Sequence, residues 1–301
     1  MKSTMNNSIL AIDWGTSNRR AYLIDAAGNC LAEHADDQGM LAARGRFGAA
    51  LDALLAALPQ AAGAPILMSG MVGSASGWQE VPYLDCAVPL EQLPSHVAPL
   101  TAAHGAQYAG RAHIVPGYCY RNGAEIDVMR GEETQLLGAV VLGHRDGWLV
   151  LPGTHSKWVL LRDGVIVSIA SYMTGELYAM LSAGGTLAAM MDGDAADPAP
   201  FRAGLEQARA HEPLSNSLFR VRARVVAGAM PASQAAAFVS GLLIGNEFAA
   251  AAAGAARRIS VIGSPALAAR YADAAAFFQL SCDVLDPHRV YRAAVSRFVK
   301  V

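Results

Sequence analysis

Short apolar runs alternate with polar turns along residues 1–120, and the runs have the length of β-strands. One longer segment, Phe47–Leu58, carries apolar residues at helical spacing and stops before Pro59, so it predicts a helix. This alternation predicts an α/β fold, with a long glycine- and serine-rich loop at Ser69–Leu84. Strands are predicted at Ile9–Asp13, Arg20–Asp25, Cys30–Ala35, Pro65–Met68 and Ala112–Val115.

The same order of elements begins again in the second half, after a predicted helix at Glu132–Leu142. Each half opens with a strand, a glycine turn, a second strand, a tight turn and a third strand. We therefore expect two similar α/β domains, residues 1–120 and 121–286, with the helical segment 287–301 packing back on the first. Asp192–Pro200 is interpreted as a surface loop. Later elements are predicted at Trp148–Leu151, Lys157–Arg162, Val165–Ser168, Ser260–Ile262, Pro265–Phe277 and Pro287–Val299.

Composition narrows the possible classes of function. Hydrophobic residues make up 53% of the 301 residues and charged residues 16%, which excludes intrinsic disorder. The formal net charge of −2 leaves no basic excess to neutralise phosphates, so no nucleic-acid partner is expected. The four cysteines lie far apart and lack metal-ligand spacing, as is usual for proteins of a reducing compartment.

No targeting or membrane segment is predicted. Residues 1–8 lack the apolar core of a signal peptide. Ala235–Ala256 is long enough to span a bilayer, but it is mostly alanine and contains Asn246 and Glu247, so it is interpreted as a buried helix. We expect a cytoplasmic protein without a membrane partner. The alanine-rich C-terminal half is compatible with a homodimer.

The first of three glycine turns joins the first two strands. Gly15 allows a tight turn, and the hydroxyl groups of Thr16 and Ser17 can surround an anion. Asp13 ends the preceding strand, where a carboxylate can hold Mg²⁺ through water. The alternative is a plain hairpin turn, because these residue types favour turns for conformational reasons alone.

The other two turns lie in the second half. Gly153, Thr154, His155, Ser156 and Lys157 offer a glycine, hydroxyl groups and a cation within five residues, which suits a phosphate. The alternative is again a hairpin, with a packed His155 and a solvated Lys157. A third turn connects a late strand to a helix, whose free N–H groups would face a ligand. It contains Gly263 and Ser264.

Together the three turns are arranged as in the actin, hexokinase and heat-shock-protein superfamily. Over essentially its full length the chain resembles the 2-dehydro-3-deoxygalactonokinases of that superfamily. The resemblance implies two ribonuclease H-like domains with ATP and Mg²⁺ in a cleft between them. It also implies phosphoryl transfer from ATP to the 6-hydroxyl of 2-dehydro-3-deoxy-D-galactonate in galactonate degradation. The segments that carry it are Ile12–Asp25, Ser69–Pro89, Ile114–Tyr118, Asp127–Ala139, Leu151–Val159 and Ser171–Leu187.

The resemblance also implies a carboxylate that accepts the proton of the attacking hydroxyl group. Related sugar kinases have an acidic residue just before a helix, and here that place is taken by Arg130-Gly-Glu-Glu. Glu132 is the first candidate for the base and Glu133 the second. Asp13 is a third candidate that is better suited to the metal. The alternative is that glutamate is present only because it favours the first turn of a helix.

The loop Ser69–Leu84 is the expected wall of the substrate site, because a loop of this length within a compact domain is usually functional. The alternative is a surface loop with a tucked-in tryptophan. The substrate carboxylate needs a cation, for which Arg130, Arg19 and Arg20 are the candidates. The loop side chains expected to contact the sugar acid are Ser74, Trp78, Glu80 and Tyr83.

Two other functions remain open at this point. The first is a kinase for a different keto-deoxy sugar acid, such as 2-dehydro-3-deoxy-gluconate. The second is a non-catalytic protein of the same fold that senses ATP or a sugar. Sugar-binding regulators carry a DNA-binding segment ahead of the first strand, whereas only eight residues precede Ile9 here. We therefore expect an enzyme, with a small sugar acid and ATP as its partners.

Overall fold

The computed structural model describes residues 8–195, 197–252 and 257–299. Its strands are β1 (Ser8–Trp14), β2 (Arg19–Asp25), β3 (Cys30–Asp36), β4 (Ile66–Gly70), β5 (Leu84–Asp85), β6 (Ala98–Pro99), β7 (Ala112–Ile114), β8 (Tyr118–Asn122), β9 (Glu125–Met129), β10 (Gly147–Leu151), β11 (Ser156–Arg162), β12 (Val165–Tyr172), β13 (Arg258–Ile262) and β14 (Ser281–Leu285). Its α-helices are α1 (Met40–Ala43), α2 (Phe47–Ala57), α3 (Ala102–Gly105), α4 (Glu132–Val141), α5 (Thr174–Ala183), α6 (Gly185–Ala188), α7 (Pro198–Arg209), α8 (Leu214–Val226), α9 (Ala232–Ala252), α10 (Pro265–Phe277) and α11 (Pro287–Phe298).

The chain divides into two compact units. As far as their residues are described, one unit comprises Met1–Asp146, Leu160–Ile169 and Pro287–Val301, and the other comprises Gly147–Val159 and Ala170–Asp286. The boundary expected after residue 120 therefore lies elsewhere. Residues 121–146 stay with the first unit because β8 pairs with β5 and α4 packs against α11.

The first unit is built on a mixed sheet with the strand order β3-β2-β1-β4-β7-β6. Strands β1, β4 and β7 are parallel, whereas β2 is antiparallel to both β1 and β3. Because β1 and β4 are parallel neighbours, their carboxyl ends meet at one edge of the sheet. Open α/β sheets bind their ligands at that edge. A second, small sheet in this unit has the order β5-β8-β9.

The second sheet has the strand order β12-β11-β10-β13-β14, and β13 is parallel to both neighbours. The order β3-β2-β1-β4 in the first sheet corresponds to β12-β11-β10-β13 in the second. In both sheets the last of these four strands is parallel to its neighbour, β4 to β1 and β13 to β10. The repeat predicted from the sequence is therefore confirmed as a repeat of strand order. Gly263 and Ser264 follow β13 directly, so the strand-to-helix junction expected at this position is also present.

Aromatic rings fill the core of the first unit. The rings of Trp14 and Phe47 meet edge to face at 5.6 Å, and Phe47 stacks on Trp78 at 5.9 Å. Helices α4 and α11 approach so closely that a Cβ atom on Gly138 would lie 1.9 Å from the carbonyl oxygen of Val290. This close approach requires glycine at position 138 and packs α4 directly against α11.

Three helices and a sheet enclose the core of the second unit. Helix α9 packs along α7, and a Cβ atom on Gly241 would lie 1.9 Å from the carbonyl oxygen of Phe201. Asp197 caps α7 by accepting the N–H of Ala199, so the expected surface loop ends in a capped helix. No helix among the described residues is long and apolar enough to cross a bilayer. Part of the predicted helix Ala235–Ala256, residues 253–256, lies outside the described residues.

Most predicted elements agree with the structure to within a few residues, including α2, α4 and α10. The hairpin β8–β9, strand β14 and helices α7 and α8 were not predicted from the sequence. The hairpin strands lack a clear apolar alternation because Arg121, Asn122 and Glu125 are exposed around its turn. Helices α7 and α8 are rich in polar side chains, and only one face of each is buried.

Candidate active site

A carboxylate and a glycine lie side by side at the carboxyl edge of the first sheet. Asp13 is paired in register with Ser69, and Trp14 with Gly70. Gly70 has a φ angle of +89°, and a Cβ atom there would lie 2.7 Å from the carbonyl oxygen of Trp14 and 3.5 Å from Oδ1 of Asp13. A residue other than glycine would therefore crowd this carboxylate.

Asp13 is only partly exposed, and its surroundings alter its acidity. Burial raises the pKa of Asp13 to about 6, while the charge of Arg20 opposes the shift. The carboxyl group is therefore mostly ionised at neutral pH. A partly exposed carboxylate at the end of a central strand is suited to hold a hydrated cation.

The segment Arg130-Gly-Glu-Glu adjoins the same edge. A Cβ atom on Gly131 would lie 3.3 Å from Cα of Gly70, and the φ angle of Gly131 is +113°. Glu132 accepts the backbone N–H of Arg130 on Oε2 at 3.1 Å. Glu133 accepts the backbone N–H of Gly131 on its own Oε2 at 2.6 Å. The two glutamates thus fix the backbone that enters α4.

Burial separates the two glutamates chemically. Glu132 is partly exposed, whereas Glu133 is fully buried and its Oε1 has no partner among the described residues. Burial raises the pKa of Glu133 to about 8, with a further contribution from the charge of Glu132. Because the Glu133 side chain is fully buried whereas Glu132 is partly exposed, Glu132 is the better placed of the two candidates for the base. The role of either glutamate stays a prediction.

Arg130 is held in place but keeps two unused donors. Its Nη2 donates to the carbonyl oxygen of Val81 at 2.6 Å, and its guanidinium lies 4.3 Å from the ring centroid of Tyr83. Nε and Nη1 are buried without a partner among the described residues. A Cβ atom on Gly73 would lie 2.9 Å from Nη1, so the glycine leaves room for it. A buried guanidinium with free N–H groups is suited to an anionic ligand.

The predicted substrate loop is only partly a surface loop. Tyr83 is exposed beside Arg130, and Glu80 is exposed as well. Ser74 is partly exposed, and its Oγ donates to the carbonyl oxygen of Met71. Trp78 is 8% exposed, and its Nε1 donates to the carbonyl oxygen of His104. The expectation that Trp78 contacts the sugar acid is thus corrected: it is a core residue.

Arg19 is also a core residue. It is 2% exposed and forms an ion pair with Asp36, with 2.6 Å between Nη2 and Oδ2. Nη1 donates to the carbonyl oxygen of Ala50, and the guanidinium lies 4.9 Å from the ring centroid of Trp14. These partners occupy the guanidinium, so the substrate role expected for Arg19 is corrected. Its neighbour Arg20 points the other way and is exposed.

The first glycine turn is closed by its own backbone. The N–H of Gly15 donates to the carbonyl oxygen of Asn18, and α1 donates to the carbonyl oxygens of Gly15 and Thr16. Gly15 therefore cannot offer its N–H group to a phosphate. Thr16 is partly exposed and Ser17 is exposed, so a phosphate contact at this turn depends on them. That contact stays a prediction.

The second glycine turn is anchored to the start of α5 in the second unit. Glu176 donates its backbone N–H to the carbonyl oxygen of Thr154, and its side chain lies 2.7 Å from Nε2 of His155. A Cβ atom on Gly175 would lie 2.2 Å from the carbonyl oxygen of Gly153. Gly153, Thr154 and His155 are exposed and able to meet a ligand.

The end of this turn is buried. Ser156 is fully buried, and its Oγ donates to Glu247 at 2.8 Å. The hydroxyl group is therefore not free for phosphate, and the binding role expected for Ser156 is corrected. Lys157 is 6% exposed, and its Nζ donates to Oγ of Ser171 at 2.7 Å. A phosphate role for Lys157 stays a prediction.

The third turn adjoins the second. A Cβ atom on Gly263 would lie 2.9 Å from Cγ of Pro152. Ser264 is exposed at the N-cap position of α10, where its side chain makes no capping hydrogen bond. A cavity of about 70 Å³ opens between α5, α9 and α10 beside these turns, and Pro152 and Gly153 line it. The two turns thus share one surface of the second unit.

A family model described as 2-keto-3-deoxy-galactonokinase matches residues 13–298. The chain belongs to this family. The match begins at Asp13 and includes the Arg130-Gly-Glu-Glu segment and all three glycine turns. The resemblance stated from the sequence is therefore confirmed.

Two curated members of the 2-keto-3-deoxygalactonokinase family are similar to the chain. The probable 2-dehydro-3-deoxygalactonokinase DgoK1 of Rhizobium meliloti (strain 1021) is 36% identical, over 95% of this chain and 94% of the relative. The 2-dehydro-3-deoxygalactonokinase of Escherichia coli (strain K12) is 34% identical, over 93% and 92%. Both alignments leave few residues unmatched.

Solved structures support the same assignment to the 2-keto-3-deoxygalactonokinase family. A crystal structure from Sinorhizobium meliloti, assigned as a 2-dehydro-3-deoxygalactonokinase, has a TM-score of 0.88 at 34% identity, covering 96% of this chain and 94% of that one. The activator of the 2-hydroxyisocaproyl-CoA dehydratase from Clostridium difficile, at 10% identity, shares the fold with a TM-score of 0.53. Component A of the (R)-2-hydroxyglutaryl-CoA dehydratase from Acidaminococcus fermentans, at 12% identity, has the same TM-score. The predicted fold class, α/β of the actin-like ATPase type, is confirmed.

One buried and highly connected carboxylate of this family member, Glu247, was not predicted from the sequence as part of the site. Glu247 lies 1% exposed in α9 and accepts hydrogen bonds from three other elements. A carboxylate in an otherwise apolar helix was the available signal, and it indicated only that the helix does not span a membrane. No group of three or more metal-ligating side chains occurs within residues 8–195, 197–252 and 257–299.

Proposed function

We propose that this protein is an ATP-dependent kinase that phosphorylates the 6-hydroxyl group of 2-dehydro-3-deoxy-D-galactonate. The observation that carries the proposal is the family match over residues 13–298. The geometry supports it, because a partly exposed carboxylate, Glu132, and a guanidinium with free donors, Arg130, lie at the carboxyl edge of one sheet. A sugar acid needs both a base for its hydroxyl group and a cation for its carboxylate.

Glu132 is the proposed base. It accepts the proton of the 6-hydroxyl group as that oxygen bonds to the γ-phosphorus of ATP. The bond from the γ-phosphorus to the oxygen bridging the β- and γ-phosphates breaks, and ADP leaves with that electron pair. Phosphoryl transfer depends mainly on positioning and charge neutralisation, so the base adds a modest part of the rate.

Arg130 is the proposed anchor for the substrate carboxylate, with Tyr83 as its neighbour in the same wall. The stacking of the two side chains and the bond to Val81 fix the guanidinium before substrate arrives. Ser74 and Glu80 are proposed as hydrogen-bonding partners of the substrate hydroxyl groups. They are at least partly exposed in the same loop.

The phosphates of ATP are proposed to bind at the exposed backbone of Gly153–His155 and at the Gly263–Ser264 junction. The hydroxyl groups of Thr16 and Ser17, in the first unit, stay predicted phosphate ligands. The charge of Lys157 would attract phosphate from beneath the second turn. Its ammonium group has Ser171 as a hydroxyl partner and can serve without leaving the turn.

Mg²⁺ is proposed to bind mainly through the phosphates of ATP. Magnesium keeps several waters and usually takes only one or two protein carboxylates in such sites. Asp13 fits this role because it is partly exposed at the carboxyl edge of the sheet and mostly ionised at neutral pH. The metal neutralises developing phosphate charge when bound. We also propose a cytoplasmic location, where ATP is supplied, and homodimerisation stays a prediction.

The test is ADP release by the purified protein with Mg-ATP, measured separately on three acceptors. These are 2-dehydro-3-deoxy-D-galactonate, its gluconate epimer and plain hexoses. We expect the highest kcat/KM with 2-dehydro-3-deoxy-D-galactonate and no turnover of hexoses. A higher kcat/KM on the gluconate epimer would overturn the substrate assignment, and no ADP release on any acceptor would overturn the kinase.

A further inference from the structure

Glu247 lies at the centre of a hydrogen-bond network in the second unit. It is 1% exposed in the middle of α9. Its Oε2 accepts Oγ of Ser156 and Nε1 of Trp158, each at 2.8 Å. Its Oε1 accepts the hydroxyl group of Tyr271 at 2.6 Å, and Thr174 also donates to the carboxylate. Four donors therefore converge on one buried carboxylate.

These donors belong to three elements that adjoin or follow the segments proposed to meet ATP, namely β11, α5 and α10. Ser156 directly follows the exposed residues Gly153–His155 and opens β11. Thr174 opens α5, whose Glu176 holds the carbonyl oxygen of Thr154. Tyr271 lies in α10, the helix that follows Gly263 and Ser264. Glu247 thus connects Ser156 at the end of the second turn with α5 and α10, and Gly153, Thr174 and Tyr271 line the same small cavity.

The donor set fits an acceptor-only group. The indole N–H of Trp158 can only donate, and the carboxylate oxygens offer sites for all four partners. A glutamine has one acceptor oxygen and an NH₂ group, so it can replace the carboxylate only if the hydroxyl groups that face its NH₂ turn to accept, which changes the present hydrogen bonds. Burial raises the pKa of Glu247, while the hydrogen bonds from Thr174, Tyr271, Trp158 and Ser156 oppose the shift.

We propose that Glu247 is a positioning residue that holds the phosphate-binding turn Gly153–His155 in its binding conformation. The inference rests on the proposed nucleotide site of the second unit. Glu247 does not touch ATP. It acts by fixing Ser156, Thr174 and Tyr271, so that the turn loses little conformational freedom when phosphate binds.

The test compares nucleotide binding with sugar-acid binding in Glu247→Gln, which is nearly isosteric. Calorimetry gives the Kd for ADP, and steady-state kinetics give the KM values for ATP and for 2-dehydro-3-deoxy-D-galactonate. We expect the ADP Kd and the ATP KM to rise about tenfold or more, with the sugar-acid KM within about threefold of wild type. Tyr271→Phe removes one donor with little change of shape and should raise the ADP Kd by about threefold. If Glu247→Gln does not fold, the ADP Kd of Tyr271→Phe tests the proposal in its place.

The control separates positioning from loss of stability. Val221 is fully buried in α8, in a cluster that includes Leu187 and Val239 and none of the donors to Glu247. Val221→Ala should lower Tm and leave the ADP Kd unchanged. An unchanged ADP Kd in Glu247→Gln, or in Tyr271→Phe where the glutamine variant is unfolded, would overturn the proposal. So would an equal loss of ADP affinity in Val221→Ala. A wild-type protein that binds no ADP would instead overturn the proposed function.

Discussion

Replacement of Arg130 by methionine tests how the substrate carboxylate is bound. The guanidinium uses Nη2 to bond Val81 and has Nε and Nη1 unpartnered within the described structure. A hydrogen bond to a charged group contributes about 1.5–3 kcal/mol, and 1.4 kcal/mol is a factor of ten. If Nε and Nη1 together bind the substrate carboxylate, Arg130→Met should raise the KM for the sugar acid by about 10²-fold.

Two kinetic parameters of Arg130→Met, kcat and the KM for ATP, should change little. The carboxylate is remote from the 6-hydroxyl group, so its loss removes ground-state and transition-state binding alike and leaves kcat within a few fold. The KM for ATP should also be unchanged. Stability should fall by about 1.5–3 kcal/mol, because the substitution removes one charged hydrogen bond to Val81 and the contact with Tyr83.

The assay is steady-state ADP release at varied sugar acid and saturating Mg-ATP, with Tm measured in parallel. Arg121→Met is the matched control, because Arg121 is an exposed arginine in the hairpin that leads to Arg130. Arg130→Lys keeps the charge but loses the planar contact with Tyr83, so we expect an intermediate KM. A KM for the sugar acid within about threefold of wild type in a folded Arg130→Met protein would refute the role assigned to Arg130.

Three further predictions concern the carboxylates of α4 and the buried ion pair. Glu132→Gln should lower kcat by about 10²-fold or more, which is roughly the contribution of a general base. The kcat of Glu133→Gln should stay within about fivefold of wild type, because glutamine resembles a protonated carboxyl group. Equal losses of kcat in the two variants would contradict the assignment of Glu132 as the base. Burial raises the pKa of Glu133 to about 8 in the folded protein, whereas the ordinary value of 4.5 applies to the unfolded chain. The unfolded chain therefore releases this proton first, and wild type should lose stability relative to Glu133→Gln as pH rises from 4.5 to 8. Urea titrations over this pH range measure the difference. A pH-independent difference would show that Glu133 is ionised when folded. Arg19→Met should cost about 3 kcal/mol of unfolding free energy, because it removes the ion pair with Asp36 and the hydrogen bond to the carbonyl oxygen of Ala50. A raised sugar-acid KM at unchanged stability would instead show that Arg19 binds the substrate.

Local patterns predicted the strands and turns because those depend on neighbours in sequence. Arg19 and Arg20 show the limit of such reasoning. The two are equivalent as cations beside a turn, and only the register of β2 decides that Arg19 faces Asp36 and the core. Trp78 is similar: a tryptophan in a glycine-rich loop suits a sugar site, but its partners Trp14 and Phe47 come from distant segments.

The two glutamates of α4 could not be ranked by burial from the sequence alone. Adjacent residues on a helix face directions about 100° apart, and the packing of α11 against α4 determines which one is buried. Glu247 was missed for the same reason, because its donors lie 24 to 91 residues away along the chain. The chemistry of a side chain is local, whereas its environment is set by tertiary packing.

The most direct test of the central claim is the identity of the phosphorylated product. The purified protein is incubated with Mg-ATP and 2-dehydro-3-deoxy-D-galactonate, and the products are followed by proton-coupled ³¹P nuclear magnetic resonance. The account predicts a phosphomonoester signal split into a triplet by the two protons on C6, appearing as ATP is consumed. A singlet of inorganic phosphate alone, or a doublet from phosphate on a secondary hydroxyl group, would contradict it.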